Sequence, residues 1–445
     1  MNTTSLKIKT ESFRFLGGAK FVYLILFLVY GHAIFYPLLD YYMPSVGGKP
    51  LTFSIVFLLA MGCYLTGLYY LQKRKIFGGF PIVLLIFFIL NGILSLINMY
   101  LYFGTVDFQQ FATGFYRCIL PTTLMIIAHL VFQNLTEVYR LIKVIIFASL
   151  IIGIAGIVTY LLGERWLAYL MQFRIQQPLH FGGVLRMTSV LWNELTFGIY
   201  MALSGILAWN IIFISSSRTE RLVGYLLFGI SAIGTFASFT RTSWVVILSG
   251  CIVFFLLENK VVVRKLFRVL VASAIFIGTV FNIPLPTGHF RSAQEAAIGH
   301  IEAVFIYEEA RLSNFKVNLE RIASFPIGYG LGTAGYSALP TRETESVAAF
   351  KDYVAADNNY LSMILQVGIQ GLLMFLLIQG LVLRQIIISY KNCDGQARVI
   401  LGTAVGWIVG MMIGALFLNV WEYNLVPYIV FALMGAALRI TRMHR

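Results

Sequence analysis

One acid and two amides, Asp357, Asn358 and Asn359, stand directly before a long apolar run that opens at Tyr360. Two roles fit an acid in that position. It can cap a helix, because its side-chain oxygen accepts N–H bonds that nothing else satisfies. It can also take a proton from a hydroxyl, since a capping carboxylate keeps one oxygen free. Arginines accompany it. Arg186 precedes another apolar run, which Asn193 and Glu194 open, and Arg241 sits in the tight turn of "SFTRTSW". Arg311 and Arg321 are ten residues apart in "EEARLSNFKVNLERIASFPIGYGLG". On one helix they would point about 80° apart and could face one cleft. A guanidinium is a permanently charged planar fork that matches phosphate oxygens. Together these types suit transfer chemistry on a phosphate-bearing, hydroxyl-rich substrate. Plainer readings also exist: Arg186 as a cation flanking a cap, Arg241 snorkelling to headgroups, and the other two arginines paired with glutamates on their own helix.

The elements that must position these residues are membrane spans. The chain is 59% hydrophobic and 12% charged, with a mean hydropathy of +0.82, which no soluble domain can carry. Twelve apolar runs are long enough to cross a bilayer: 20–42, 50–71, 80–102, 116–133, 143–162, 193–215, 222–240, 242–257, 265–283, 359–383, 399–419 and 423–438. The expected fold is therefore an all-α integral membrane protein of about twelve helices. It forms one polytopic domain over 1–445, with a long outer loop at 284–358 carrying part of the site. The first run, from about Phe21, reads as a retained span. Basic clusters such as Lys73-Arg74-Lys75, Arg218 with Arg221, and Lys260 with Arg264 and Lys265 mark alternate loops. They place both termini in the cytoplasm. The opposite, outer face is then where Asp357 and the arginines lie, and its cations are mostly Arg.

Within the long loop, Ser292 to Ala323 reads as helix, ended by Pro326 and the glycines of "FPIGYGLGTAGY". Those glycines are weak evidence for a phosphate cradle, because no Lys-Ser/Thr follows them. Charged groups are nearly absent from the middle of the spans, His32 and His129 being the polar exceptions, and that near absence speaks against an ion-coupled transporter. Cys63, Cys118, Cys251 and Cys393 suggest neither a disulfide framework nor a metal site. With no clustered acids or histidines, no cofactor is expected.

Three stretches carry a family resemblance. "SFTRT", "RLSNFKVNLERIASFPIGYGLGTAGY" and "DNNYLSMILQVGIQGLLMF" resemble the O-antigen ligase and O-antigen polymerase superfamily. Its ordered features are matched by Arg311, Pro326, Gly328, Gly330, Gly332, Asp357, Asn358, Tyr360, Leu361, Gly368 and Gly371. "RMTSVLWNELTFGIYM" is similar to the family's upstream loop motif in shortened form, and the resemblance covers roughly 185 to 375. It implies a GT-C type glycosyltransferase of the bacterial plasma membrane, working without a metal on the outer face. The pathways implied are those of cell-envelope polysaccharides such as lipopolysaccharide or capsule. The ligases usually carry His at the position of Asp357. Asp there looks more like the polymerases, which join repeat units carried on undecaprenyl pyrophosphate.

On that resemblance Asp357, Arg241 and Arg311 are the expected catalytic residues. Arg186, Arg321, Asn358, Tyr360 and Glu194 are expected to bind substrate. Expected partners are the polyprenyl-pyrophosphate-linked oligosaccharide, membrane lipids, and a chain-length regulator and flippase of the same pathway, with no nucleic acid. The alternatives are a ligase onto a lipid core, a peptidoglycan-type polymerase, and a non-enzymatic flippase for the lipid-linked glycan.

Overall fold

A computed structural model of the protein describes residues 19–42, 80–163, 180–181, 184–258, 315–335, 356, 358–423 and 425–443. The described chain is helical apart from one antiparallel pair of two-residue strands, β1 (His180–Phe181) and β2 (Val184–Leu185). The helices in chain order are α1 (Ala19–Tyr42), α2 (Phe80–Phe103), α3 (Phe108–Gly114), α4 (Leu120–Val131), α5 (Leu135–Leu162) and α6 (Glu194–Ile214). They continue as α7 (Arg218–Ala237), α8 (Arg241–Leu257), α9 (Asn359–Asn392), α10 (Gly395–Gly414) and α11 (Val426–Met443). A π turn, Phe115–Ile119, joins α3 to α4. Residues 315–324 are also helical and stop just before Pro326.

Eight helical stretches among the described residues are long and apolar enough to cross a membrane, so this is an integral membrane protein. Ten of the twelve expected runs coincide with described helices. The runs at 50–71 and 265–283 lie outside the described residues. The tight turn before Arg241 does separate two helices, α7 and α8.

Burial sorts the bundle into centre and edge. Over their apolar windows α6 and the stretch Gln110–Val131 are each 89% buried, whereas α2 is 33% buried. The outer face of α2 shows Phe87, Leu90, Leu94, Ile97 and Leu101 to the surroundings, as a lipid-facing helix must. Small residues bring the central helices close. Gly402, Gly406, Gly410 and Gly414 recur every fourth residue on α10, which puts them on one stripe. A Cβ at Gly406 would stand 2.7 Å from the Gly250 carbonyl oxygen, and one at Gly410 2.7 Å from that of Val246. That small-residue contact seats α8 against α10. It also holds the start of α8 beside the turn that leaves α10, since a Cβ at Gly414 would meet Thr242 at 3.4 Å.

Candidate functional site

The site begins at the turn that opens α8. Ser238, Phe239 and Thr240 link α7 to α8, and Arg241 is the first helical residue. Arg186 grips this turn. Its Nε donates to the Ser238 carbonyl at 2.9 Å, one Nη to Thr240 Oγ1 at 3.0 Å and the other to Glu194 Oε1 at 2.9 Å. The Arg186–Glu194 ion pair is buried, with side-chain exposures of 9% and 5%. Burial pulls the Arg186 pKa below the usual guanidinium value, while nearby Glu194 and Tyr423 oppose that shift. The Met187 N–H donates to the Ala237 carbonyl at 2.9 Å and adds a backbone tie to the same turn.

Backbone strain gathers at this corner. The non-glycine residues at positive φ among the described residues are Ser189 (55°), Trp192 (60°) and Phe239 (49°). The first two shape the turn between Arg186 and Glu194, and the third lies in the turn before Arg241. Such conformations cost about 1–3 kcal/mol each and persist only where surrounding contacts over-determine them. Here those contacts include the Ser189 hydroxyl to the Ile152 carbonyl at 2.6 Å and the Trp192 indole to the Ile34 carbonyl at 2.7 Å.

The second part of the site is the opening of α9. Asn358 is its cap: the side-chain oxygen accepts the N–H of Tyr360 at 2.9 Å and of Leu361 at 3.3 Å. The capping role considered for Asp357 therefore belongs to its neighbour. The turn between α10 and α11 holds this helix start in place. The Asn358 amide donates to the Leu416 carbonyl at 2.9 Å, the Asn359 N–H to the Ala415 carbonyl at 3.0 Å, and the Asn359 side-chain oxygen accepts the Trp421 N–H at 2.7 Å. Asn419 donates to the carbonyl of Ala356. Position 357 thus lies between two anchored neighbours.

Glu422, in the same turn, is 1% exposed and accepts from the Ser362 hydroxyl and, at 3.2 Å, from the Gln366 amide. Gln366 also donates to Ser362 Oγ at 2.9 Å, and its own carbonyl oxygen accepts the Gly332 N–H at 2.8 Å. Cys118, in the π turn, reaches the same oxygen at 3.8 Å.

The glycine-rich segment after Pro326 is the third part, and it packs into the bundle. Its N–H groups bind protein acceptors. Tyr329 donates to the Leu365 carbonyl at 2.6 Å, Gly330 to the Gln366 carbonyl at 3.0 Å, and Leu331 to Ser95 Oγ at 3.2 Å. A phosphate cradle built from these groups is therefore ruled out by their geometry. Gly332 shows why side chains are absent. Its φ is 83°, and a Cβ would stand 2.1 Å from the Gln110 carbonyl oxygen. The segment also repairs a break in α9. Gly368 is non-helical (φ 79°, ψ 173°), and the groups freed there find partners: the Val367 carbonyl accepts from Asn91 at 3.1 Å, and the Ile369 N–H donates to the Pro326 carbonyl at 3.0 Å.

The structure therefore brings Arg186, Glu194 and Arg241 to one corner, and Asn358 and Tyr360 to the adjoining rim, where the Tyr360 hydroxyl donates to the Met412 carbonyl at 2.6 Å. Tyr423, beside Glu422 in sequence, lies within electrostatic reach of Arg186 and connects the two. Arg321 sits on the helical segment 315–324, where its carbonyl accepts from the Tyr329 hydroxyl at 2.9 Å. Asp357 and Arg311 fall outside the described residues.

Sequence reasoning passed over Ser362, Gln366, Asn419, Glu422 and Tyr423. One signal was present, since Ser362 and Gln366 are a helical turn apart in an apolar run and share a face. Among the described residues no three His, Cys, Asp or Glu side chains are grouped to hold a metal ion. No curated protein matches the chain. Residues 226–376, from the middle of α7 to the middle of α9, match the family model described as O-Antigen ligase. Over those residues the chain is similar to that family, in agreement with the ordered motifs and the helical membrane architecture.

Proposed function

We propose that the chain polymerises repeat units of a surface polysaccharide on the outer face of the bacterial plasma membrane. The donor is a glycan held by its reducing-end sugar on a polyprenyl pyrophosphate. The acceptor is a sugar hydroxyl of a second lipid-linked unit. The hydroxyl oxygen attacks the anomeric carbon as its proton passes to Asp357. The anomeric C–O bond to pyrophosphate breaks with its electron pair, and the configuration inverts. The lipid pyrophosphate leaves with one more negative charge.

The observation that carries this reading is the corner built around Arg186. It holds a strained turn directly before Arg241, at the positive end of α8, where Thr240 makes no side-chain cap. A guanidinium and a helix N-terminus on the same spot favour an anion. A fixed cation aimed at developing charge is worth roughly 3–4 kcal/mol. Arg311 would be the second member of the clamp, with Arg321 binding further along the glycan. Arg186, with its donors on Ser238, Thr240 and Glu194, serves by holding Arg241 in place. Asn358 and Tyr360 hold the rim on which Asp357 meets the acceptor.

Asp357→Asn tests the base directly. Asn358 supplies the cap, so thermal stability should be unchanged, while polymer synthesis should fall about 10²-fold or more. An Asn variant that makes polymer at the wild-type rate would move the base elsewhere. A ligase is the second reading, favoured by the description of the matching family model. Purified protein given only lipid-linked units separates the two. A polymerase extends them, whereas a ligase forms product only when a lipid core acceptor is added. The arginine clamp does the work a divalent ion would do, so EDTA should leave the rate within about twofold. A loss restored by Mg²⁺ would replace the clamp with a metal site.

A further inference from the structure

Three separate segments meet at one buried carboxylate. Glu422 comes from the turn between α10 and α11, Ser362 and Gln366 from the first turns of α9, and Gly332 and Gly335 from the glycine-rich segment. Ser362 and Gln366 both donate to Glu422 Oε1, and Gln366 relays the link to the Gly332 N–H. Gly335 lies directly against the group: a Cβ there would stand 2.1 Å from Ser362 Oγ and 2.7 and 2.8 Å from the two Glu422 oxygens. Its φ of 68° suits glycine, so the close approach has no cheap substitute. Asn419, three residues before Glu422, holds the Ala356 carbonyl. One short turn therefore fixes both the end of the glycine-rich segment, at Gly335, and the last residue before position 357. Nothing in the transfer mechanism itself requires an acid at 422.

We propose that Glu422 is a positioning residue for glycosyl transfer. Its carboxylate joins the opening of α9 to the glycine-rich segment and so sets the placement of the base at the rim. The inference rests on the reading that Asp357 supplies that base. Carboxylate oxygens accept in directions the protein can fix, and a network shared by three segments transmits a small displacement of one to the others. A misplacement of about 1 Å can cost about 10²-fold in rate.

The test uses the full-length protein in detergent with polyprenyl-pyrophosphate-linked oligosaccharide isolated from the cells that make the polymer. Glu422→Gln keeps the shape and one accepting oxygen. It should keep its melting temperature within a few degrees and its KM for the lipid-linked donor, while kcat falls about tenfold to 10²-fold. Ser362→Ala should do the same more weakly. The double variant should be no slower than Glu422→Gln alone, because both changes act on one link. Additive losses, or a wild-type kcat in Glu422→Gln, would overturn the proposal. If Glu422→Gln does not fold, the Ser362→Ala arm decides by the same kcat-against-KM split.

The pH dependence separates this inference from the reading it rests on. A positioning residue leaves the acid limb of the rate profile where it was, whereas removal of the limb in Glu422→Gln would make Glu422 the base itself and overturn the proposal. Asp357→Asn at the wild-type rate, with the Glu422 and Ser362 losses still coupled, would unseat Asp357 and leave the positioning role standing. Asp357→Asn inactive with Glu422→Gln normal would sink the Glu422 role alone.

Discussion

Two buried glutamates, one at the start of α6 and one in the turn between α10 and α11, are held in different ways. Glu194, first residue of α6, shares its carboxylate with the guanidinium of Arg186. Glu422, in the turn after α10, gathers a hydroxyl and an amide from α9. The first arrangement neutralises a charge so that a strained turn can be gripped from inside. The second ties a hydroxyl and an amide of α9 to a carboxylate from another segment. Burying a charge is costly unless it is paired, so the Glu194 corner should fail catastrophically when one member goes. A link spread over several hydrogen bonds should loosen by degrees.

The sharpest way to break this comparison is Glu194→Ala. It leaves Arg186 buried without its carboxylate, and the expected loss is about 3–5 kcal/mol of stability, read as a large drop in melting temperature in detergent. Glu194→Gln keeps an oxygen for the 2.9 Å contact but not the charge, and should lie between Ala and wild type. If Glu194→Ala melts with the wild type, the ion pair is not what holds the corner. The turn before Arg241 would then rest on the remaining Arg186 donors to Ser238 and Thr240 and on the backbone tie from Met187.

A smaller effect, on rate and not on folding, is expected from Arg241→Lys. Lysine keeps the charge at the positive end of α8 but loses the planar fork, so kcat should fall about tenfold to 10²-fold with normal insertion and melting. This separates the residue proposed to face the substrate from Arg186, which grips the turn before it: Arg186→Lys should lose stability first, because an ammonium cannot reach Ser238, Thr240 and Glu194 together. An Arg241→Lys enzyme at the wild-type rate would reduce Arg241 to a headgroup contact.

Much of the architecture was legible because apolar runs of about 20 residues declare themselves, and because Arg and Asp at their ends are conspicuous. The turn at Thr240 and the break at Pro326 could be read from single residues. The glycines of "GYGLG" were visible, but what they approach was not. Alternate glycines suit any close backbone approach, and only the contacts of Gly332 with Gln110 and of Gly330 with Gln366 show that the neighbour is protein. Glu422 was hidden for a different reason. It sits in the narrow gap between two apolar runs, and a lone acid in a short turn gives no local pattern. Its partners are 56 and 60 residues away in sequence, a pairing that only the folded chain supplies. Glu422 is nonetheless the one charged residue between Val399 and Leu438, a signal worth following, since ionisable groups within a membrane bundle are costly to keep.

The smallest predicted effect concerns the cap, and it decides which of three consecutive polar residues opens α9. Asn358 does two things: its oxygen accepts the Tyr360 and Leu361 N–H groups, and its amide donates to the Leu416 carbonyl. Asn358→Ala removes both and should cost about 1 kcal/mol for the cap, with a further contribution from the carbonyl left unpaired. Asn358→Asp keeps a capping oxygen but has no hydrogen to give Leu416, so it should fall between Ala and wild type. The interval from Ala to Asp reads the cap, and the interval from Asp to wild type reads the tie to the turn after α10. Asp357→Ala, melted alongside, should show no such loss. If instead Asp357→Ala destabilises and Asn358→Ala does not, the acid is the cap. Its carboxylate would then be committed to backbone N–H groups, and the case for it as the proton acceptor would weaken accordingly.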